Sequence, residues 1–283
     1  TSARLGPHEL DAIEGDCKPR RVFYTHGISA EADAAACRRG AEAETFTGIG
    51  AIKVGKLEAS TVPEEVYEDP ARQVAVLIYT TGTTGRPKGV MLSHRNLAYV
   101  AGRGKRTNTL FPEDVTLCVM PISHSYGLTL LQSMLFVGAH LRIMPRFSLT
   151  QAIDAVVNGS LTSFNAVPAM LSRIIAYVDQ NNIKLTPNNL RYVYTGTAPL
   201  DLSLRQSVER AFGVVLHNGY GLTETSPTIS RTLYAMGSNE INIGTPIPGI
   251  ETKIVGPDGR EVPDGEAGEL LVRGPNVMLG YYG

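Results

Sequence analysis

The chain has 283 residues, 43% of them hydrophobic, so it can bury a large core in one large domain or two. Its 26 basic and 27 acidic side chains nearly balance, which argues against nucleic acid or an anionic membrane as an electrostatic partner; the cluster Arg103, Lys105, Arg106 reads as a solvated helix end. Three scattered cysteines, Cys17, Cys37 and Cys118, lack metal-ligand spacing and fit a reduced, cytoplasmic setting.

Residues 1–69 carry little chemistry: Val22–Tyr24 is strand-like, Ala30–Arg39 helical and Ala59–Asp69 a polar linker. The run Val74–Tyr79 is short, continuous and rich in β-branched residues, the pattern of a buried strand. It opens directly into Thr80-Thr81-Gly82-Thr83-Thr84-Gly85-Arg86-Pro87-Lys88-Gly89. Threonine hydroxyls, glycines that let backbone amides approach a ligand and the ammonium of Lys88 can wrap a polyanion with donors on several sides. A plain turn between two strands is the simpler alternative, although such turns seldom hold four threonines and a lysine. The loop is not a Walker motif, because Pro87 precedes Lys88 and Gly89 follows it; the spacing disfavours a P-loop kinase or GTPase.

Further along, strand-like runs at Val115–Met120, His140–Met144, Leu161–Val167, Leu190–Tyr194 and Val214–His217 alternate with helical patterns at Ser93–Arg103, Leu128–Val137, Leu149–Val157, Ala169–Asp179 and Leu202–Phe212. Ser93 and Ser148 are N-cap candidates, and Pro168 fits a first helical turn. Such alternation predicts an α/β fold with a mainly parallel sheet and helices on both faces. The most apolar stretch, Gly127–Met144, is interrupted by Thr129, Gln132, Ser133, His140 and Arg142, which predicts a buried helix and a strand rather than a membrane span. After about residue 240 the helical period stops and turn signals crowd in. Thr252–Val255 and Glu269–Val272 read as hairpin strands of a small β-rich unit. The expected organisation is therefore 1–69, the end of an early α/β portion and a linker; 70–238, an α/β core; and 239–283, the start of a β-rich subdomain.

Three more polar clusters follow strand-like runs, where open α/β sheets bind ligands. The first, Leu216-His217-Asn218-Gly219-Tyr220-Gly221-Leu222-Thr223-Glu224-Thr225, offers a tyrosine ring between glycines for stacking on a base, a hydroxyl, and a carboxylate as a hard ligand for Mg²⁺. It reads equally well as a helix start, with Thr223 as cap and Glu224 near the dipole. In the second, Tyr194-Thr195-Gly196-Thr197-Ala198-Pro199, small residues leave backbone amides and carbonyls exposed, suited to a purine edge or an acyl chain, or simply to a strand-to-helix loop. The third, Met120-Pro121-Ile122-Ser123-His124-Ser125-Tyr126-Gly127, holds a histidine whose plain reading is structural and whose position at a strand end gives it interest.

Together the four strand-end loops resemble the acyl-adenylate-forming superfamily: acyl- and aryl-CoA synthetases, luciferases and peptide-synthetase adenylation domains. Residues 79–90 are nearly that family's phosphate-loop signature, Asn218-Gly219-Tyr220-Gly221-Leu222-Thr223-Glu224 its adenine and magnesium motif, and 268–282 its late β-unit signature. The resemblance implies that Thr80, Thr81, Gly82, Thr83, Thr84, Gly85 and Lys88 hold the β- and γ-phosphates of ATP. Tyr220 would stack on adenine, with Asn218 and the backbone of Gly196, Thr197, Ala198 and Pro199 meeting its edge beside Gly219 and Gly221. Thr223 would contact the α-phosphate and Glu224 the Mg²⁺. His124 and Tyr126 would line the acyl pocket, with Gly196, Gly219 and Pro227 shaping its walls. The implied activity is ATP-dependent activation of a fatty or aromatic carboxylic acid to acyl-AMP, with transfer to coenzyme A.

Family members are longer at both ends. They continue to a Thr-Gly-Asp motif whose Asp holds the ribose, and to a mobile domain with an essential lysine. The chain here starts without Met and ends at Tyr281-Tyr282-Gly283, so both ends read as cut and the expectation is an interior fragment, incomplete in full turnover. Thr197 departs from the Gly or Ala of many members. Two alternatives accompany the ligase reading: an adenylation domain loading a carrier protein, whose amino-acid-activating members usually place an Asp near the position of His124, and a non-catalytic ATP- or acyl-binding module.

Overall fold

The computed structural model describes residues 5–81, 87–107 and 109–283, and the chain folds as two units. One comprises the chain up to Met91 together with Leu279–Gly283; the other runs from Leu92 to Met278.

In the first unit, helix α1 (Pro7–Cys17) starts with proline in its first turn, where a missing N–H costs nothing, and the Gly6 amide donates to the Glu9 carboxylate at 2.7 Å. Strand β1 (Phe23–Thr25), helix α2 (Ala30–Arg38), β2 (Glu42–Phe46) and β3 (Gly50–Val54) follow. The three strands form an antiparallel sheet in the order β1-β3-β2. Ser29 caps α2, its Oγ accepting from the Ala32 amide at 3.3 Å, and the helix buries Ala32, Ala35 and Ala36. Arg39 ties this helix to α1 through Glu14 at 2.8 Å and Asp11 at 2.5 Å. The sequence reading gave only the strand and helix here; it missed α1 and the β2–β3 hairpin.

Strand β4 (Val74–Thr81) and β5 (Pro87–Ser93) form a second sheet of this unit with a terminal strand at Gly280–Tyr281. Lys88 thus stands in a strand, where the sequence placed it in a loop.

The second unit continues with α3 (His94–Ala101), α4 (Arg103–Arg106), β6 (Val115–Cys118), α5 (Ser125–Val137), β7 (His140–Ile143), α6 (Leu149–Val157), β8 (Ser163–Asn165), α7 (Pro168–Gln180), β9 (Tyr192–Gly196), α8 (Leu202–Phe212) and β10 (Leu216–Tyr220). A 3₁₀ turn (Thr223–Thr225), β11 (Ser230–Arg231), β12 (Thr245–Pro246), β13 (Glu251–Val255) and β14 (Glu269–Arg273) complete it; the terminal strand is β15. Seven strands lie in the order β12-β11-β10-β9-β8-β6-β7. From β10 to β7 all pairings are parallel, while β11 and β12 join antiparallel. The chain is thus α/β with a mostly parallel central sheet, helices between its strands, and small antiparallel sheets that include the expected β13–β14 pair.

The core is packed as the sequence pattern requires. Phe164 of β8 stacks on Phe212 of α8 with ring centroids 6.3 Å apart, among Leu171, Ile174, Val193 and Leu216, all essentially inaccessible. Ser93 and Ser148 cap their helices, and Pro168 opens α7. Two expectations need correction. The Ser93–Arg103 helix breaks at Gly102 into α3 and α4, and the Gly127–Met144 stretch is only partly buried, because Leu135 and Phe136 of α5 face solvent. Among the described residues no helix is long and apolar enough to cross a membrane.

Candidate active site

Parallel pairing sets two of the predicted clusters side by side. Asn218 of β10 lies opposite Thr195 of β9, and Gly219 opposite Gly196, so both loops leave the sheet at its carboxyl edge. The glycines are demanded by packing. A Cβ on Gly219 would overlap the Tyr194 hydroxyl, one on Gly221 the Pro227 carbonyl, and one on Gly196 would crowd the Gly219 carbonyl. Directly after Gly196 the chain turns through Thr197 at φ +73°, left-handed backbone that a β-branched residue adopts only under strain. Thr197, Ala198 and Pro199 are all exposed.

Asn218 is buried and only partly satisfied. Its amide N–H donates to Thr232 Oγ1 at 2.7 Å and its Nδ2 to the Asn242 carbonyl at 3.3 Å, while Oδ1 is buried with no partner. Thr195 Oγ1 on the adjacent strand is likewise buried and unpartnered. Tyr220 is half-buried against a small cluster of Ile229, Ile247 and Ile250.

The segment after Tyr220 is one 3₁₀ turn, not the start of a longer helix, so the helix-start reading of Thr223 and Glu224 is set aside. Thr225 Oγ1 accepts from the Leu222 amide at 3.0 Å and closes the turn. Thr223 Oγ1 lies 3.4 Å from Ser125 Oγ. Glu224 is half-buried and its carbonyl accepts from the Met278 amide at 2.9 Å.

The anchor of this turn is a residue whose role the sequence reading missed. Asn276, fully buried, donates through Nδ2 to the carbonyls of Thr225 (3.1 Å) and Thr228 (2.7 Å), and Ser226 Oγ donates to the Asn276 carbonyl at 2.8 Å. Asn96 holds the same segment from its other side, donating to the carbonyls of Pro275 and Val277 at 2.8 and 2.9 Å. The available signal was an amide side chain between Pro275 and Val277, in a motif read only as a β-unit signature.

His124 is the N-cap of α5. Its Nδ1 accepts from the Tyr126 amide at 3.2 Å, which leaves the proton of the neutral ring on Nε2. The side chain is exposed, yet its surroundings desolvate it enough to lower its pKa and favour that neutral form. Gly127 lets the helix start close against the Pro121 carbonyl, where a Cβ would overlap. Tyr126 meets Tyr194 edge-on, with ring centroids 6.5 Å apart, and its buried hydroxyl has no partner. Desolvation raises the Tyr126 pKa well above its ordinary value, so it stays a donor.

One expectation on Arg103 is overturned: it is not part of a solvated helix end. Lys105 and Arg106 are exposed, but Arg103 is half-buried and donates to Thr228 Oγ1 at 2.8 Å. In the first unit, Thr80 is half-buried in β4, and the Lys88 ammonium sits 5.2 Å from the Tyr281 ring centroid. Gly82, Thr83, Thr84, Gly85 and the Thr81 side chain lie outside the described residues. Of the predicted site residues, the second unit holds His124, Tyr126, Gly196, Thr197, Ala198, Pro199, Asn218, Gly219, Tyr220, Gly221, Thr223, Glu224 and Pro227.

Comparison with known proteins agrees with this architecture. The family model for AMP-binding enzymes matches residues 1–282. The chain belongs to the AMP-binding enzyme family. A 4-coumarate–CoA ligase of Oryza sativa subsp. japonica is 33% identical over 250 residues, 84% of this chain and 44% of that protein. A sulfoacetate–CoA ligase of Cupriavidus necator is 33% identical over 226 residues, 79% and 43% respectively. The crystal structure of ATP-bound MatB from Rhodopseudomonas palustris superposes with a TM-score of 0.77 at 26% identity, covering all of this chain and 56% of that one. This AMP-binding chain thus spans about two-fifths of the length of those curated relatives.

Proposed function

We propose that the protein activates a carboxylic acid as its acyl-adenylate and passes the acyl group to coenzyme A, an acid–thiol ligase reaction of the AMP-forming kind. The observation that carries the reading is Asn218 Oδ1, a buried acceptor with no donor, beside Gly219 and Tyr220 at the carboxyl edge of the sheet. A buried acceptor left unpaired costs about 1–3 kcal/mol, and an adenine amino group supplies the missing donor. Residues 70–238 form the nucleotide- and acyl-binding core in this reading.

The chemistry needs positioning more than a base. A carboxylate is already ionised at neutral pH and attacks the α-phosphorus of ATP as it stands. Its oxygen bonds to that phosphorus as the bond to the bridging oxygen breaks and pyrophosphate leaves. Lys88 and the hydroxyls of Thr80, Thr81, Thr83 and Thr84, with the amides of Gly82 and Gly85, neutralise the β- and γ-phosphates. Thr223 orients the α-phosphate. Tyr220 stacks on adenine between Gly219 and Gly221, and Gly196, Thr197, Ala198 and Pro199 border its edge. His124 presents Nε2–H toward the reacting carboxylate, and Tyr126, Gly196, Gly219 and Pro227 shape the acyl site. The thiol of coenzyme A then attacks the acyl carbon, AMP leaves with the carboxylate oxygen, and the thiol proton goes to solvent.

Glu224 suits Mg²⁺. No group of three or more His, Cys, Asp or Glu is poised for a metal among the described residues, and one hard carboxylate beside a hydroxyl is what an ion carried mainly by phosphates and water requires. Bound there, Mg²⁺ would neutralise phosphate charge. Free cysteines at positions 17, 37 and 118 fit a cytoplasmic enzyme, and the balanced charge fits small-molecule substrates rather than nucleic acid.

The test is carboxylate-dependent ATP–pyrophosphate exchange by the full-length gene product. Lys88→Ala and Glu224→Ala should each lower exchange by about 10²- to 10³-fold, the usual effect of removing one charge stabiliser. Exchange unchanged in both variants would contradict the reading.

A further inference from the structure

We propose that the acid activated by this protein carries a second anionic group at its far end, and that Arg103 and Arg231 receive it. The inference deepens the ligase reading and rests on it.

The two guanidinium groups are unusual in what they lack. Elsewhere in the same unit, the wholly buried Arg205 bonds Glu209 at 3.1 Å, and the exposed Arg191 bonds the buried Asp114 at 2.6 Å. Among the described residues neither Arg103 nor Arg231 has a carboxylate partner. Arg103 bonds only Thr228 Oγ1, and its Nε is buried with no acceptor. Among the described residues Arg231, on β11, bonds only neutral hydroxyls, Thr109 Oγ1 at 3.1 Å and Thr107 Oγ1 at 3.4 Å. Burial, and secondly the charge of Arg103, lower the pKa of Arg231, so the two cations stand near one another in a poorly solvated place. Two adjacent, half-buried like charges without a counter-ion destabilise a fold unless something else compensates them.

Their position says what that is. Thr228, the partner of Arg103, follows Pro227, a wall of the acyl site. The Tyr126 hydroxyl is buried and unpartnered, and the Arg103 charge acts on it. An oxyanion placed here meets the free Arg103 Nε–H, the Tyr126 hydroxyl and the Arg231 guanidinium, a donor set suited to carboxylate or sulfonate. A purely apolar acyl tail would leave the buried Arg103 Nε–H and Tyr126 hydroxyl unpaired. Arg231 is antiparallel-paired with Gly219, so the site that borders adenine also fixes the arginine.

The experiment compares matched acids in ATP–pyrophosphate exchange by the full-length gene product: succinate and 3-sulfopropanoate against butanoate, and terephthalate against 4-methylbenzoate. The expected result is a preference in kcat/KM of at least about 100-fold for the doubly anionic member of the pair whose length fits, since a site built for a polar group rejects the analogue that lacks it. Arg231→Met and Arg103→Met should abolish that preference with the KM for ATP unchanged, and Arg231→Lys should restore part of it. A preference for the mono-acids, left intact by these variants, would overturn the arginine inference and leave the ligase reading standing. A raised KM for ATP, with acid selectivity unmoved, would assign the arginines to the nucleotide and also overturn it. No exchange with these or any other acid would instead contradict the ligase reading, and this inference with it.

Discussion

Thr197 is exposed, lies directly after Gly196, and holds φ at +73°, so its branched side chain buys no burial to offset a left-handed backbone. Such positions cost on the order of 1–3 kcal/mol. Thr197→Gly should therefore raise the urea midpoint, by about 1 kcal/mol of stability once the greater freedom of unfolded glycine is counted. A lower midpoint would show that the threonine makes a compensating contact. His217, on the strand that carries Asn218, makes a second residue-scale prediction. Burial first, then the charges of Arg231 and Arg205, depress its pKa to about 4, and its Nδ1 has no partner. The folded state thus binds its proton more weakly than the unfolded chain, whose histidine titrates near 6.5. The stability from the neutral ring is complete above pH 6.5 and drains away as pH falls toward 4. Across that window the loss is on the order of 2 kcal/mol after discounting for solvent. Melting temperature should fall more steeply with acidification in the wild type than in His217→Gln; parallel curves would contradict the assignment. Neither property is visible in the sequence, since φ is set by how the β9 turn closes and the His217 environment by distant arginines.

At the scale of elements, motif loops were legible but their supports were not. Asn218, Tyr220, Thr223 and Glu224 announce themselves by residue type at a strand end. Asn276 does not, because its work is to satisfy the carbonyls of Thr225 and Thr228 across 51 and 48 residues of sequence. Asn276→Ala leaves two buried carbonyls without donors and should cost on the order of 2–3 kcal/mol, read by chemical denaturation. The same variant should weaken ATP·Mg binding, because the turn that carries Glu224 loses its anchor. Full stability with unchanged nucleotide affinity would show that the turn holds itself. Arg205 supports the neighbouring loop in a comparable way. Wholly buried, it donates to the carbonyls of Glu240 and Ala235 and to Ser238 Oγ while its guanidinium covers Tyr234, and Tyr234 in turn donates to the Asn242 carbonyl that receives Asn218. Helix positions were read well where an apolar stripe and a capping serine coincide, as at Ser148 before α6. The predicted helix runs one residue past Gly102, to Arg103, whereas the structure breaks at that glycine and starts a new helix at Arg103.

At the scale of the whole molecule, alternation of strands and helices revealed the α/β class, since a buried parallel strand must be a short apolar run and its crossover an amphipathic helix. It could not reveal the order β12-β11-β10-β9-β8-β6-β7, because strand neighbours are chosen by pairing and packing of segments far apart in sequence. That order is what sets Asn218 beside Thr195 and makes one edge of the sheet the candidate site. The central claim is that this edge serves carboxylate attack on the α-phosphorus of ATP, and the most direct measurement follows the oxygen. The full-length gene product is supplied with a carboxylate labelled in both oxygens with ¹⁸O, ATP, Mg²⁺ and coenzyme A, and the products are analysed by mass spectrometry. The account predicts one labelled oxygen in AMP for each thioester formed. Label in inorganic phosphate, with ADP as the nucleotide product, would mean attack at the γ-phosphorus and would contradict it.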